Sequence, residues 1–191
     1  MKVRSGKVQQ TNRSELTPHY LDTDMPGLVI DRRRPGRGYT HLVGQKQLRE
    51  FVERLPEWDV LQQGLNAIVL DAGDRGCMGW CRSGVIAICA WENSLVWENC
   101  NSSFYDEHAE ILEKLNVPVI QQNGRIQVLF NESTARAFQL VHILTHELGH
   151  HHDRMTTRSQ KVTVRGEGYA EEYARRFEDE VIEVYSKMFG L

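Results

Sequence analysis

The stretch Thr145-His146-Glu147-Leu148-Gly149-His150 contains the pattern H-E-x-x-H inside a segment whose apolar residues recur at helical spacing. A helix turns about 100° per residue, so residues four apart lie about 40° apart on one face. His146 and His150 therefore present two imidazoles on the same side of a predicted helix. Two imidazoles at this spacing can bind one zinc ion, and Glu147, at the edge of that face, can reach water beside the metal.

The apolar residues of this helix lie on a different face. Phe138, Val141, Leu144 and Leu148 form a stripe, and the last two point away from His146. One side of the helix is therefore predicted to pack into a core while the other side presents the histidines. A chance occurrence of H-E-x-x-H would not require this separation.

The same helical wheel assigns the neighbouring polar residues. His142, one turn before His146, is predicted to be a packed or hydrogen-bonded neighbour of the site. Asp153 lies two turns after His146, and we expect it to support a ligand or to contact a helix end. His151 and His152 point away from His146 and are predicted to lie on the surface.

A catalytic zinc site usually has three protein ligands. No histidine follows His152, so the third ligand is expected among the acidic residues that begin the last predicted helix, from residue 166 or 167 to 188. Glu167 and Glu171 are the two candidates. A third possibility is that both are surface carboxylates near the positive end of the helix dipole.

The two helices together resemble the gluzincin group of HExxH metallopeptidases, in which a downstream helix supplies a glutamate ligand. Residues 167–174 are similar to the E-x-x-A-[DE]-x-[FY]-A pattern of lethal-factor-type and CAAX-processing endopeptidases. Residues 146–153 resemble the first motif of the lethal-factor type. The resemblance covers roughly residues 140–177 of the chain.

This resemblance implies that His146, His150 and Glu167 bind zinc and that Glu147 is the catalytic base. It also implies that Glu171, one turn after Glu167, accepts the free N–H of a zinc-bound histidine. Glu171 stays the rival ligand, because Glu171-x-x-Ala174 also fits the pattern, although Arg175 then occupies its second acidic position.

One position departs from the lethal-factor type. That family has a tyrosine seven residues before the glutamate ligand that stabilises the transition state, and Gln160 occupies the position here. The sequence offers Arg158, Arg165, Tyr169, His152 or a residue of the N-terminal segment as a replacement and does not choose among them.

The remaining pattern predicts the fold class. We expect a helix over residues 45–61 with a break at Pro56, two strands over 65–70 and 84–91, and a short helix over 106–116. A hairpin is expected from strands 117–122 and 125–130 around Asn123-Gly124, followed by a helix over 134–155 that Ser133 caps. Strand 125–130 is expected at a sheet edge, where an extended peptide could add to it.

This order predicts an α+β, zincin-like domain over residues 41–191, in which a small mixed sheet packs on the HExxH helix and a ligand helix follows. Residues 1–40 are predicted to be an irregular N-terminal arm. Its basic cluster in residues 31–38 is expected to be a solvated loop that pairs with acidic residues, although it could instead bind phosphate or an acidic partner.

Composition narrows the function. The net charge of −3 argues against nucleic-acid binding. No apolar run is long enough for a membrane helix, and the start has no apolar signal region, so a cytoplasmic location is expected.

The four cysteines, Cys77, Cys81, Cys89 and Cys100, are expected to be buried or free thiols. The alternative is a structural zinc on Cys77, Cys81 and one of the other two.

We therefore predict a zinc metallopeptidase that acts on a peptide or protein substrate by metal-assisted hydrolysis, with Glu147 moving the proton. Two alternatives remain. One is a regulatory or binding protein of zincin fold that acts on one dedicated partner, and the other is a scaffold of that fold without catalysis. Nothing in the sequence specifies an oligomeric state.

Overall fold

The computed structural model describes residues 2–4, 7–9, 20, 27–158, 160 and 163–191, with only the backbone for residues 2–4 and 7–9. Its fold is α+β, with several small sheets against a group of helices, as the sequence predicted at this level. The helices are α1 (Gln45–Val52), α2 (Trp58–Leu61), α3 (Ser102–Lys114), α4 (Glu132–Ala137), α5 (Leu144–Met155) and α6 (Gly166–Phe189).

The strands form sheets of two to four members. They are β1 (Lys2–Arg4), β2 (Lys7–Gln9), β3 (Val29–Arg32), β4 (Tyr39–Thr40), β5 (Ala67–Asp71), β6 (Gly79–Arg82), β7 (Val85–Cys89), β8 (Trp91–Glu92), β9 (Val96–Trp97), β10 (Val119–Gln122) and β11 (Arg125–Leu129). β1 pairs with β2, and β4 pairs with β8.

The largest sheet is mixed and has the order β3-β5-β7-β6. β3, β5 and β7 are parallel, and β6 pairs antiparallel with β7. Alternate residues of a strand face opposite sides, and here both sides are covered. Ile68 and Ile86 face the main core, whereas Val69 and Ala87 face a smaller cluster that contains Tyr20. This two-sided burial explains why β5 and β7 are continuous apolar runs.

Part of the segment expected to be irregular is a strand. Residues 29–32 form β3 and pair in register with β5, and β1, β2 and β4 also lie within residues 1–40, so the prediction of an irregular arm is wrong for these strands. Four residues are too short to show a clear alternation, and pairing with a distant strand determines their conformation. Arg33 in the following basic loop contacts Asp71, with 3.5 Å between Nη1 and Oδ1, as expected for a loop that pairs with acidic residues. Residues 1, 5–6, 10–19 and 21–26 of the predicted arm lie outside the described residues.

The predicted hairpin is confirmed, but its position in the sheet is not. Asn123 and Gly124 both have positive φ, of 52° and 72°, as the tight turn between β10 and β11 requires. β11 also pairs with β9 and therefore lies in the middle of a three-stranded sheet. The prediction that this strand is a free edge for a substrate peptide is thus wrong, because the short strand β9 covers its second side.

The helix predicted over residues 134–155 is interrupted. Asn131, not Ser133, caps α4, since its side chain accepts a hydrogen bond from the Thr134 N–H. Residues Phe138–Ile143 form a π-helical segment, fully buried, before α5 begins at Leu144. α6 begins at Gly166 as predicted. No helix in the described ranges combines the length and apolar composition that a membrane span requires.

Candidate metal centre

The H-E-x-x-H residues lie on α5, which packs on β6 and β7 on one side and on α6 on the other. His146 and His150 both direct an Nε2 atom toward the first turn of α6. There Glu167 Oε2 lies 3.2 Å from His146 Nε2 and 3.3 Å from His150 Nε2. Among the described residues, these three form the group of histidine, cysteine or acidic side chains whose donor atoms come within 4.8 Å of one another.

Glu171 occupies a different position from Glu167. Its Oε2 atom lies 3.2 Å from His146 Nδ1, on the side of the imidazole that faces away from His150. The pKa of Glu171 is lowered to about 2, mainly by the hydrogen bond from His146. Burial opposes this shift, and the positive charge of Arg175 adds to it. A carboxylate that accepts a hydrogen bond from Nδ1–H favours the tautomer of His146 whose lone pair is on Nε2, the atom that faces Glu167.

Glu147 is almost completely buried, between α5 and the start of β6. The backbone of Gly79 comes so close that a Cβ atom built there would lie 2.8 Å from Glu147 Oε1. Burial raises the pKa of Glu147 to about 8, although nearby His146 opposes the shift. The carboxylate therefore combines a desolvated setting with a position one residue from the first histidine.

Asp153 joins the two helices that carry the candidate ligands. It is fully buried, and its Oδ2 atom accepts backbone hydrogen bonds from Val164, Arg165 and Gly166 at 2.9, 2.8 and 3.2 Å. These N–H groups belong to the start of α6, which its own sequence does not cap. The expected contact of Asp153 with a helix end is confirmed, and it orients the turn that carries Glu167.

α5 and α6 approach closely at Gly149. A Cβ atom there would lie 2.9 Å from both the Cα and the carbonyl oxygen of Ala170, and 3.0 Å from Tyr173 Cβ. The absence of a side chain at Gly149 and the small one at Ala170 let the backbones approach. This contact brings Glu167 within reach of the two histidines.

Behind the centre, polar side chains continue into the core. His142 is buried, as expected for a packed neighbour, and its Nε2 atom lies 3.9 Å from Glu171 Oε2. Its Nδ1 atom lies 3.5 Å from Oε1 of the buried Glu178, and Lys114 Nζ lies 3.1 Å from Glu178 Oε2. This chain connects the back of His146 with a lysine on α3.

Two of the predictions for the other histidines need revision. His151 is buried rather than exposed, and its Nε2–H donates to the carbonyl oxygen of Gln63 at 2.9 Å. Burial lowers its pKa to about 4. His152 is only half-buried, with Nδ1 2.7 Å from the hydroxyl oxygen of Tyr169. The helical wheel predicted an exposed His151 because the sequence of α5 does not reveal that α2 packs on this polar face of the helix.

The cavity in front of the metal group has a volume of about 660 Å³. Its walls come from the turn before β6, from α3, from the π-helical segment, and from α5 and α6. Glu107 and His108 of α3 line it, and sequence reasoning missed both because α3 lies outside the motif region. His108 Nδ1–H donates to the Phe104 carbonyl oxygen at 2.7 Å, and burial lowers its pKa.

The residues considered as substitutes for the missing tyrosine do not line this cavity in the described part of the chain. Arg165 forms an ion pair with Asp153, with 2.8 Å between Nε and Oδ1, and its guanidinium lies over the ring of Tyr169. Gln160 has a positive φ of 52° and directs its carbonyl oxygen to Arg154.

The four cysteines do not form a metal cluster among the described residues, and none is in a disulfide. Cys77 Sγ and Cys89 Sγ are 3.8 Å apart, well beyond the roughly 2 Å of a disulfide bond. Burial, with a contribution from Glu147, raises the pKa of Cys81 to about 12. The interpretation as thiols is the one that agrees with this arrangement.

No protein-family model matches this sequence, and neither a curated protein nor a solved structure matches it.

Proposed function

We propose that this protein is a zinc-dependent hydrolase of zincin type and that peptides are its substrates. One observation carries the proposal: two imidazole Nε2 atoms and one carboxylate oxygen, from His146, His150 and Glu167, converge on one point at the wall of an open cavity. The donor set of two histidines and one carboxylate is one that catalytic zinc sites use, with the remaining position left for water or substrate.

Two of the donor–donor distances match those around a tetrahedral zinc ion. Ligands at about 2.0–2.1 Å from a tetrahedral ion lie roughly 3.3 Å from one another. The distances from Glu167 Oε2 to the two imidazole nitrogens are 3.2 and 3.3 Å. Glu171 approaches His146 at Nδ1 and not at Nε2, so it suits the role of the carboxylate that orients a ligand. These contacts favour Glu167 over Glu171 as the third ligand.

A bound zinc ion would polarise the scissile carbonyl group and acidify the attacking water. We assign the proton transfer to Glu147. Its buried carboxylate would take the proton of the attacking water and donate it to the leaving amine nitrogen. Burial makes this carboxylate more basic than an exposed glutamate.

The strand next to the centre supports a peptide as the substrate. β6 is the outer strand of the largest sheet in the described chain, packs on α5 and begins at Gly79 beside Glu147. An extended peptide could pair with such an edge through main-chain hydrogen bonds and pass along the cavity. We therefore transfer the predicted docking position from β11 to β6.

The experiment that tests the function compares Glu147→Gln with wild type. The substitution keeps the shape of the side chain and removes the proton-accepting charge. The zinc content, measured by elemental mass spectrometry, is expected to remain at one ion per chain. Hydrolysis of a mixed peptide library is expected to fall at least about a hundredfold, on the scale of general-base catalysis.

The matched control is Glu172→Gln, which removes a charge from an exposed residue of α6. It should retain both zinc and hydrolysis. A Glu147→Gln protein that keeps zinc and full biological effect would instead support a protein of zincin fold that acts by binding alone.

A further inference from the structure

A second cavity, of about 300 Å³, lies beside the candidate metal centre. Gly76, Cys77 and Met78 line both cavities, so a single turn forms the wall between them. The same turn leads directly into β6 at Gly79. A peptide that pairs with β6 and presents a bond to Glu147 would therefore pass the mouth of this second cavity.

Aromatic rings form much of its lining. Trp91 and Trp97 are stacked with centroids 4.9 Å apart, and Phe104 meets Trp97 edge to face at 5.4 Å. Tyr39 from β4 completes the set. Trp91 also makes an edge-to-face contact with Phe130, with 5.0 Å between the ring centroids.

The charges at this cavity are negative. Glu92 and Asp74 line it, and no lysine or arginine is among the described residues that do. The pKa of Tyr39 is raised, first by burial and then by the negative charges of Glu92 and Asp74. The positive charge of the exposed Arg75 opposes this shift more weakly. Glu92 is solvent-exposed and lies opposite Tyr39 in the β4–β8 pair, so we assign its carboxylate to the rim of the cavity.

We infer that the second cavity is a specificity pocket for a cationic side chain, lysine or arginine, of the peptide substrate. The inference rests on the proposed function. Ring faces attract cations, and the long aliphatic stem of either side chain can pack on aromatic and methionine surface. The rim carboxylate of Glu92 then pairs with the charged end.

Aromatic walls alone would also accept leucine or phenylalanine. The carboxylates separate the two possibilities, because they favour a positive charge and give an apolar side chain nothing. The discriminating variants are therefore Glu92→Gln and, as a matched control, Glu98→Gln. Glu98 is an exposed residue between β9 and α3, six residues after Glu92, and it lines neither cavity.

The first test measures hydrolysis of a peptide library by the zinc-loaded protein. We expect lysine and arginine to be enriched at one fixed position relative to the cleaved bond. Glu92→Gln should reduce cleavage of these peptides about fivefold, the upper scale of one exposed ion pair, and leave leucine peptides unchanged. Hydrolysis that prefers leucine or phenylalanine at every position would overturn the inference while the proposed function stands.

The second test does not depend on hydrolysis. Pentylguanidinium, and pentanol as the neutral probe of equal chain length, are titrated into the full chain while the indole N–H signals of Trp91 and Trp97 are followed by NMR. The cation should shift these signals at lower concentration than the alcohol, and Glu92→Gln, but not Glu98→Gln, should remove the difference. Equal response to both probes would overturn the pocket, whereas a cation response without hydrolysis would retain it and refute the proposed activity.

Discussion

The Oδ2 atom of Asp153 accepts a hydrogen bond of 2.8 Å from the backbone N–H of Arg165, and its Oδ1 atom accepts another of 2.8 Å from Arg165 Nε. A residue near the end of one helix thus caps the start of the next. Because Glu167 lies two residues after Arg165, the cap also determines where this carboxylate lies relative to the histidines of α5.

Asp153→Ala is expected to destabilise the protein by about 2 kcal/mol, because buried backbone N–H groups lose their acceptor. Metal affinity should fall as well, since the first turn of α6 loses its anchor. Thermal unfolding and zinc titration measure the two effects. Asp106→Ala, at an exposed position of α3, should change neither.

The effect of Asp153 should depend on pH. Burial alone would raise its pKa, but the hydrogen bonds from Arg165, Gly166 and Val164 lower it below the ordinary 3.8. A depressed carboxyl pKa contributes stability that is fully present above the ordinary value and is lost as pH falls through the folded value. The difference in unfolding free energy between wild type and Asp153→Ala should therefore be constant near neutrality and shrink below about pH 4. A difference that grows at acid pH would contradict this account of the cap.

The ligand set predicts the response of the metal to single substitutions. His146→Ala, His150→Ala and Glu167→Ala should each lose tightly bound zinc, because three protein ligands are the usual minimum of a catalytic site. Glu171→Ala should keep zinc but bind it about tenfold or more weakly, as expected when a carboxylate that orients a ligand is removed. If Glu171→Ala strips the metal while Glu167→Ala retains it, the assignment of the two glutamates is reversed.

Gly149→Ala tests the close approach of α5 and α6. Alanine favours a helix over glycine by up to about 1 kcal/mol, but the new Cβ atom would meet the backbone of Ala170 at 2.9 Å. Overpacking against backbone costs about 1–3 kcal/mol, so net destabilisation and weaker zinc binding are expected. Gly168→Ala, in the first turn of α6, would place its methyl group where no other atom lies within 4 Å, so it should raise the melting temperature. An increase in stability for Gly149→Ala would show that the helices can separate freely.

Gly79→Ala tests the placement of Glu147. Its methyl group would lie 2.8 Å from Glu147 Oε1 and from Ile143 Cγ2, so the carboxylate must move. Hydrolysis should fall about tenfold to a hundredfold, the scale of a misplacement of about 1 Å, while zinc content stays at one. Gly44→Ala, where the nearest atom is an ordinary 3.5 Å away, should leave hydrolysis unchanged. Full activity of Gly79→Ala would remove Glu147 from its proposed role.

The cysteines should differ in reactivity. The thiolate is the reactive form, and burial and Glu147 raise the pKa of Cys81 to about 12, so Cys81 should react more slowly at pH 8 than the likewise partly exposed Cys100 in the folded protein. After unfolding without reductant, all four should react at similar rates. Mass spectrometry of alkylated peptides measures this, and two thiols that stay protected by a second zinc ion would overturn the assignment.

Much of the site was readable from local patterns. The i, i+4 spacing of His146 and His150 depends only on helix geometry, and the turn at Asn123-Gly124 depends only on which residues tolerate positive φ. These features need no distant partner. The interaction of Asp153 with a helix end followed from its place two turns after His146.

Tertiary structure decided the rest, because each remaining feature depends on what lies opposite a residue. β9 pairs with the second side of β11, the turn that follows α2 covers His151, and β5 gives residues 29–32 a partner to pair with. The positions of Glu167 and Glu171 likewise depend on the close contact of α5 with α6, which turns one carboxylate toward Nε2 of His146 and the other toward its Nδ1. By itself, the sequence determined that α5 presents two imidazoles and a glutamate at neighbouring positions, because this depends only on helix geometry, whereas packing between distant segments decided which side chains and strand edges remain exposed.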